Sequence, residues 1–309
     1  MGHMTVMDPS APPTADPMIV FDRSAVRRHR TRAAPHADRF DFLRREAAAQ
    51  LGERLADIGR SFKAVLQLGV GADRPGQPPD LTVVADPAAA MLAATAGPRV
   101  AVDEDRLPFR DASFDLVVAG LTLHWVNDLP GALIQIRRCL KPDGLFLAAM
   151  LGGRTLAELR QVLLEAEAEV EGGAGPRVSP FADVRDLGGL LQRAGFAMPV
   201  ADADTVTVDY VDALALMRDL RGMGETNAVR DRRRTFTRRA TLLRAAGLYH
   251  ERFADAAGRI PATFQLMYMA GWAPGPHQPK PLKPGSAATR LADALGTREM
   301  PLPDKAGPR

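Results

Sequence analysis

Residues 65–86 read VLQLGVGADRPGQPPDLTVVAD, and the fold turns on how this stretch is read. A short apolar run, residues 65–68, meets Gly69 and Gly71, and a second run, residues 81–85, ends on Asp86. Apolar runs of this length, bounded by turn residues, read as strands buried on both faces. Strand, glycine turn, crossover, strand and carboxylate is the opening of a doubly wound nucleotide-binding sheet. The glycines let a backbone approach a ligand closely, and the carboxylate can accept hydrogen bonds from ribose hydroxyls. The crossover itself is unusual. Pro75, Gly76, Pro78 and Pro79 fall between the two runs, so residues 70–80 are expected to connect them as a loop and not as a helix.

Working outward, residues 40–58 place Phe42, Leu51, Leu55 and Ile58 at helical spacings, which predicts a packing helix before the first strand. Residues 87–96 (PAAAMLAATA) predict a helix with proline in its first turn, stopped by Gly97-Pro98. Residues 99–102 read as a third strand, ending in Asp103, Glu104 and Asp105, and residues 114–119 (FDLVVA) as a fourth. A helix over 128–140 and a fifth strand over 145–150 follow. Strands that alternate with helices predict a mostly parallel sheet covered on both faces. Beyond residue 151 the pattern changes. A helix over 155–171 is expected to open with a capping box, Thr155 and Glu158. A helix over 184–194, an alternating strand over 200–210, helical segments over 211–220 and about 232–256, and a last strand over 262–272 complete the order. The helices between the last two strands exceed what can lie flat on the sheet, so part of 211–256 is expected to cap the site. Residues 5–18 and 273–309 are expected to be disordered, and residues 1–4 (MGHM) read as an expression-vector remnant. The domain is then 19–272.

Apolar content of 46% and charged content of 25% suit a globular chain with a full core. The formal charge of +3 is only mildly basic, and much of it sits in two arginine-rich stretches, 23–45 and 230–244. These read either as solvated helix faces or as a site for an acidic or nucleic-acid partner. Neither interleaves aromatics as single-strand binders do, so no nucleic-acid partner is expected. The single cysteine, Cys139, excludes an intrachain disulfide and fits a reducing compartment, which makes a cytoplasmic location the expectation. The longest apolar run, near 116–126, is too short for a transmembrane segment. The histidines show no metal-ligand spacing, so no metal site is expected.

The order of elements resembles the S-adenosylmethionine-dependent methyltransferase fold: α/β, doubly wound, seven mostly parallel strands with the last antiparallel. LGVG (68–71), VDEDRLPFRDASFDLVV (102–118) and LTLHWVNDLPGALIQIRRCLKPDG (121–144) carry that resemblance. GGRTLAELR (152–160), SPF (179–181), DLGGLLQRAGF (186–196) and LRGMGETN (220–227), together with LTLHWVNDLP, narrow it. They look like the respiratory complex I assembly factors of this fold, which include protein-arginine hydroxylases and alphaproteobacterial relatives. Malonyl-carrier-protein methyltransferases are more distant neighbours. Gln67 departs from the family's usual acidic residue, and the loop over 70–80 replaces its usual helix.

The resemblance implies S-adenosylmethionine as cofactor, with Gly69 and Gly71 under its methionine end. Asp86 would then take the ribose, Asp103 and Glu104 would sit beside the adenine, and Leu121 would lie on the same edge. The alternatives are a helix cap for Asp86 and a solvated turn for 103–105. His124, with Trp125 and Asn127, lies just beyond the fourth strand, where open α/β sheets bind ligands. His124 would be a base or orient a substrate, or would pack under the loop with Trp125. Glu225 and Asn227 lie on a glycine-flanked loop, facing substrate or leaving a helix. The expected function is a methyltransferase-like protein acting on a protein substrate, by resemblance a complex I subunit, through methyl transfer or arginine hydroxylation. The alternatives are a small-molecule or carrier-protein methyltransferase and a non-catalytic assembly protein.

Overall fold

A computed structural model describes residues 19–70, 79–276, 278 and 289–298. Residues 71–78, with Gly71 and most of the proline-bearing crossover, lie outside the described residues, as do 1–18. The chain divides into Met1–Gly275 and Pro276–Arg309. In the second unit, α8 (Leu291–Ala294) is a single helical turn.

Seven strands form one sheet: β1 (Ala64–Leu68), β2 (Leu81–Asp86), β3 (Arg99–Ala101), β4 (Phe114–Gly120), β5 (Leu140–Gly152), β6 (Ala197–Tyr210) and β7 (Ile260–Trp272). Their order is β3-β2-β1-β4-β5-β7-β6, and β7 runs antiparallel to both its neighbours. The chain steps outward from β1 through β2 to β3, then returns to lay β4 on the other side of β1. That reversal leaves a crevice at the carboxyl ends of β1 and β4.

The period of two along β1 divides its side chains between the two faces. Val65 joins the core of one face, with Leu116, Leu145, Leu147 and Phe264. Leu66 and Leu68 join the other, with Val117, Phe146 and Met267. The first face is covered by α2 (Phe42–Ile58), α4 (Ala157–Glu171), α6 (Ala213–Met223) and α7 (Arg239–Phe253). The second is covered by α3 (Leu129–Cys139) and α5 (Val184–Arg193). Leu133 and Ile136 of α3 are fully buried there, so truncating either to Ala costs about 2–5 kcal/mol. On the edge strand β6, partly buried positions alternate with exposed ones along most of its length, the one-wet-face pattern expected from its sequence. A small third cluster packs Phe21, Val26 and Trp125 with Ala228 and Val229, and seats α1 (Arg23–Ala33) on the edge of the crevice.

Three local expectations are corrected. The alanine-rich segment after β2 forms only a short 3-10 helix, Ala89–Leu92. The Arg99 guanidinium donates to the Leu92, Ala93 and Thr95 carbonyls, taking acceptors that a longer α-helix would use. The capping box at 155–158 does not form. Thr155 Oγ1 bonds the Gly152 carbonyl and the Gln265 N–H, and Glu158 accepts from Thr263, because adjacent β7 offers partners that outcompete the local ones. The helix expected from about residue 232 begins at Arg239. Before it, Arg232 and Arg233 reach away to Asp22 and Glu171.

Candidate functional site

The site residues gather where the strands end. Gly69 follows β1 with φ +83°, and a Cβ there would stand 2.6 Å from the Gly120 carbonyl oxygen. Only glycine lets the tips of β1 and β4 meet so closely. Asp86 closes β2 and is 1% exposed. Asp103 and Glu104 follow β3. Leu121 follows β4 with φ +48°, its N–H donating to the Ala149 carbonyl, and this strained turn aims residues 122–125 across the edge.

The carboxylates on this edge are already held, and from an unexpected direction. Arg30 of α1, itself 5% exposed, forks onto Asp86, with Nη2 at 2.5 Å from Oδ2 and Nε at 3.2 Å from Oδ1. The Ala88 N–H also donates to Asp86 Oδ1, at 2.8 Å. Two helical turns earlier, Arg23 donates to Asp103 at 2.6 Å, to Glu104, and to the Trp125 carbonyl at 2.9 Å. Glu104 also accepts from the Thr122 hydroxyl. Burial would pull the Arg30 guanidinium down, but the charges of Asp86, Glu104 and Glu225 hold it above its ordinary value. Burial would likewise raise Asp103, but Arg23 holds it below the usual carboxylate range.

The stretch 23–45, for which a solvated helix face was one of the two readings, is therefore solvated on one side only. Positions 23 and 30 lie seven apart, so they share the inward face, while Arg27, Arg28 and Arg32 point outward. Asp22 caps the helix by accepting from the Ala25 N–H. Arg23, Arg30 and Thr122 are the site residues that sequence reasoning missed. The seven-residue spacing of two arginines around a buried Val26 is the signal that could have found the first two.

Three catalytic candidates converge. Glu225, on the loop after α6, accepts from His124 Nε2 at 2.9 Å and from Trp125 Nε1 at 3.0 Å. Bonding to a carboxylate assigns the His124 proton to Nε2 and leaves Nδ1, which is buried without a hydrogen-bond partner among the described residues. Burial pushes the Glu225 carboxyl up, but His124, Arg30 and Trp125 together hold it below its ordinary value. The other two candidates brace loops. Asn127 accepts from the Val20 and Phe21 N–H groups at 2.9 and 2.7 Å, and Asn227 donates to the Pro176 carbonyl at 2.7 Å.

Glu225, Trp125 and Asn227 also line a cavity of about 600 Å³, within the range of small-molecule sites. Leu151, Leu159, Phe181 and Met217 give it an apolar wall. Its arginines differ in how they are neutralised. Arg177 pairs with Glu167, Arg232 with Asp22 and Arg233 with Glu171, whereas Arg218 and Arg221, exposed on α6, have no carboxylate partner among the described residues. No group of three or more His, Cys, Asp or Glu that could hold a metal occurs among the described residues. Nor is any helix among them long and apolar enough to cross a membrane.

A family profile described as a methyltransferase domain matches residues 66–148. The chain is 43% identical over 288 residues to the mitochondrial arginine hydroxylase NDUFAF5 of Danio rerio, spanning 89% of each. It is 34% identical over 270 residues to the malonyl-[acyl-carrier protein] O-methyltransferase of Xylella fastidiosa, spanning 82% of this chain and 89% of that one. Among solved structures, the YcgJ protein of Bacillus subtilis superposes with a TM-score of 0.48 at 15% identity, over 73% of this chain and 98% of that one.

Proposed function

Because this chain belongs to the family of the NDUFAF5 arginine hydroxylases, within the S-adenosylmethionine-dependent methyltransferase fold, we propose that it modifies a side chain of a protein substrate in respiratory complex I assembly. The observation that supports this most is the largely buried Glu225 carboxylate on the wall of the 600 Å³ cavity, gathering His124 and Trp125 from the loop after β4. In this reading the substrate side chain enters the cavity under α6 and the loop before α7. Glu225, the carboxylate on the cavity wall, is the proton acceptor, and His124 and Trp125 hold it in place from behind. The reaction takes place in the cytoplasm.

The residues at the strand ends suit S-adenosylmethionine by their chemistry. Asp86 is a buried carboxylate at the ribose position, Asp103 and Glu104 follow the next strand, and Gly69 brings the backbone in close. Bound there, the cofactor supplies an activated methyl group, so the protein's own task is alignment and exclusion of water.

A carboxylate substrate is a second reading. Arg218 and Arg221 at the same cavity, without a carboxylate partner among the described residues, favour it, since guanidinium forks match carboxylate geometry. One experiment separates the readings. The protein is incubated with S-adenosylmethionine and either isolated complex I subunits or a malonyl carrier protein, and the products are weighed by mass spectrometry. A methyl group gained on a subunit supports the first reading, and a methyl group on the carrier protein supports the second. No modification of either, with no binding of S-adenosylhomocysteine, would leave a non-catalytic assembly role.

A further inference from the structure

We propose that α1 is an internal competitor of the cofactor. The guanidiniums of Arg30 and Arg23 hold the carboxylates that the nucleoside must reach, and cofactor entry displaces them. The inference rests on the reading that this chain binds S-adenosylmethionine at the strand ends, and it describes how that site is regulated.

The Asp86 side chain is fully buried, so no ligand reaches it as it stands. Arg30 engages both carboxylate oxygens, and Oδ1 also takes the Ala88 N–H. Ribose hydroxyls can bond this carboxylate only if the guanidinium leaves. One strand further out, Arg23 spans Asp103 and the buried Glu104, and Thr122 bonds the other Glu104 oxygen. Both arginines lie on one face of one helix, Arg23 at its start and Arg30 two turns on, so a displacement of the later turns frees Asp86.

A side-chain rotation alone does not suffice. The void bounded by Arg30, Arg44, Leu121 and Glu225 measures about 10 Å³, room for about one water and not for a guanidinium. The two ends of α1 are held differently. At the start, Phe21 packs edge-on against Trp125 with ring centroids 5.4 Å apart. The Asp22 N–H donates to the Ala228 carbonyl, and the Asp22 carboxylate pairs with Arg232. At the far end the side chains of His29 and Arg32 bond only the carbonyl and hydroxyl of Thr226 among the described residues, each at 3.0 Å, and the helix runs into the 3-10 segment Ala34–Phe40, which is kinked at His36. The geometry therefore pivots α1 about residues 21–22 and moves its later turns, which carry Arg30.

The guanidinium of Arg30 thus lowers the fraction of molecules competent to bind, and apparent affinity falls with that fraction. Removing it with Arg30→Met is expected to tighten S-adenosylhomocysteine binding to the full-length chain by about tenfold or more. Arg23→Met is expected to act in the same direction. Isothermal titration calorimetry measures the affinities, with thermal melting to confirm folding. Amide hydrogen exchange on the wild-type protein supplies a readout that needs no variant: S-adenosylhomocysteine should reduce protection over residues 27–33. Equal or weaker binding by Arg30→Met and Arg23→Met overturns the competitor. So does wild-type binding that leaves α1 protection unchanged. If neither wild type nor variants bind, the cofactor reading itself fails and takes this inference with it.

Discussion

Replacing Glu225 by Gln tests whether the carboxylate is the charged centre of the site. The substitution preserves shape but alters two things. The native carboxylate accepts from both His124 Nε2 and Trp125 Nε1. A hydrogen bond to a charged group contributes about 1.5–3 kcal/mol, whereas a neutral one contributes about 0.5–1.5 kcal/mol. Both donors reach the one oxygen Oε2, and the Gln amide oxygen can still accept from both, so each bond changes from charged to neutral, and the NH₂ group that replaces Oε1 needs an acceptor of its own. We expect a loss of about 2–3 kcal/mol, with Tm falling by about 5–10 °C for a domain of this size. Urea unfolding near neutral pH measures the loss, and a cycle with His124→Gln isolates the pair, whose coupling should exceed about 1 kcal/mol. A carboxyl held below its ordinary pKa stabilises the fold above the unfolded value, about pH 4.3, and that contribution fades as pH falls through the folded value. The penalty of the substitution should therefore shrink below about pH 4. A loss within about 0.5 kcal/mol of zero at neutral pH, or no coupling to His124, would refute the account of Glu225 as the buried charge that organises the site.

Three further outcomes follow from the same geometry. His29 is pushed down to about 4 from 6.5 by burial and by neighbouring Arg32, Arg232 and Arg28. The unfolded chain then binds the extra proton between those values, so stability should fall as pH drops from 6.5 towards 4, and His29→Gln should flatten that slope in pH-dependent urea melts. Gly69→Ala forces a Cβ into a positive-φ position against the Gly120 carbonyl. It should cost about 2–4 kcal/mol, and a melting temperature equal to wild type would contradict the close approach of β1 and β4. Asn127→Ala removes the acceptor for the Val20 and Phe21 N–H groups. It should cost about 1–3 kcal/mol and speed amide exchange over residues 20–26, and unchanged exchange there would argue against the bracing role.

Much of the sheet was legible because burial on two faces leaves a local trace. The runs at 65–68, 81–85, 114–119 and 145–150 are apolar apart from Gln67, Thr82 and Asp115, as suits strands covered on both sides, and each is a strand. The one-wet-face alternation of 200–210 was equally plain, because that strand lies at the sheet edge. Local signals failed where a tertiary partner outcompeted a local one. Thr155 and Glu158 carry the residues of a capping box, yet both bond to β7. The alanine-rich segment after β2 has helix-forming residues, yet Arg99 takes its carbonyls.

The candidate site divides in the same way. Its acids were visible as Asp86, Asp103 and Glu104 because the end of a strand is a position in the chain order. Glu225 was visible only as a residue on a glycine-flanked loop. Nothing local could show that it meets His124 and Trp125, about a hundred residues earlier in the chain. The sequence by itself determined the succession of strands and helices along the chain and the strand ends where a ligand would bind, because hydrophobic period and turn chemistry act over a few residues. Only the tertiary structure decided that Arg30 and Arg23 fill that edge. In sequence an arginine on a helix is equally a solvated charge or a buried one. Which it becomes depends on whether folding carries a carboxylate to it from another part of the chain, as it does here with Asp86 and Glu104.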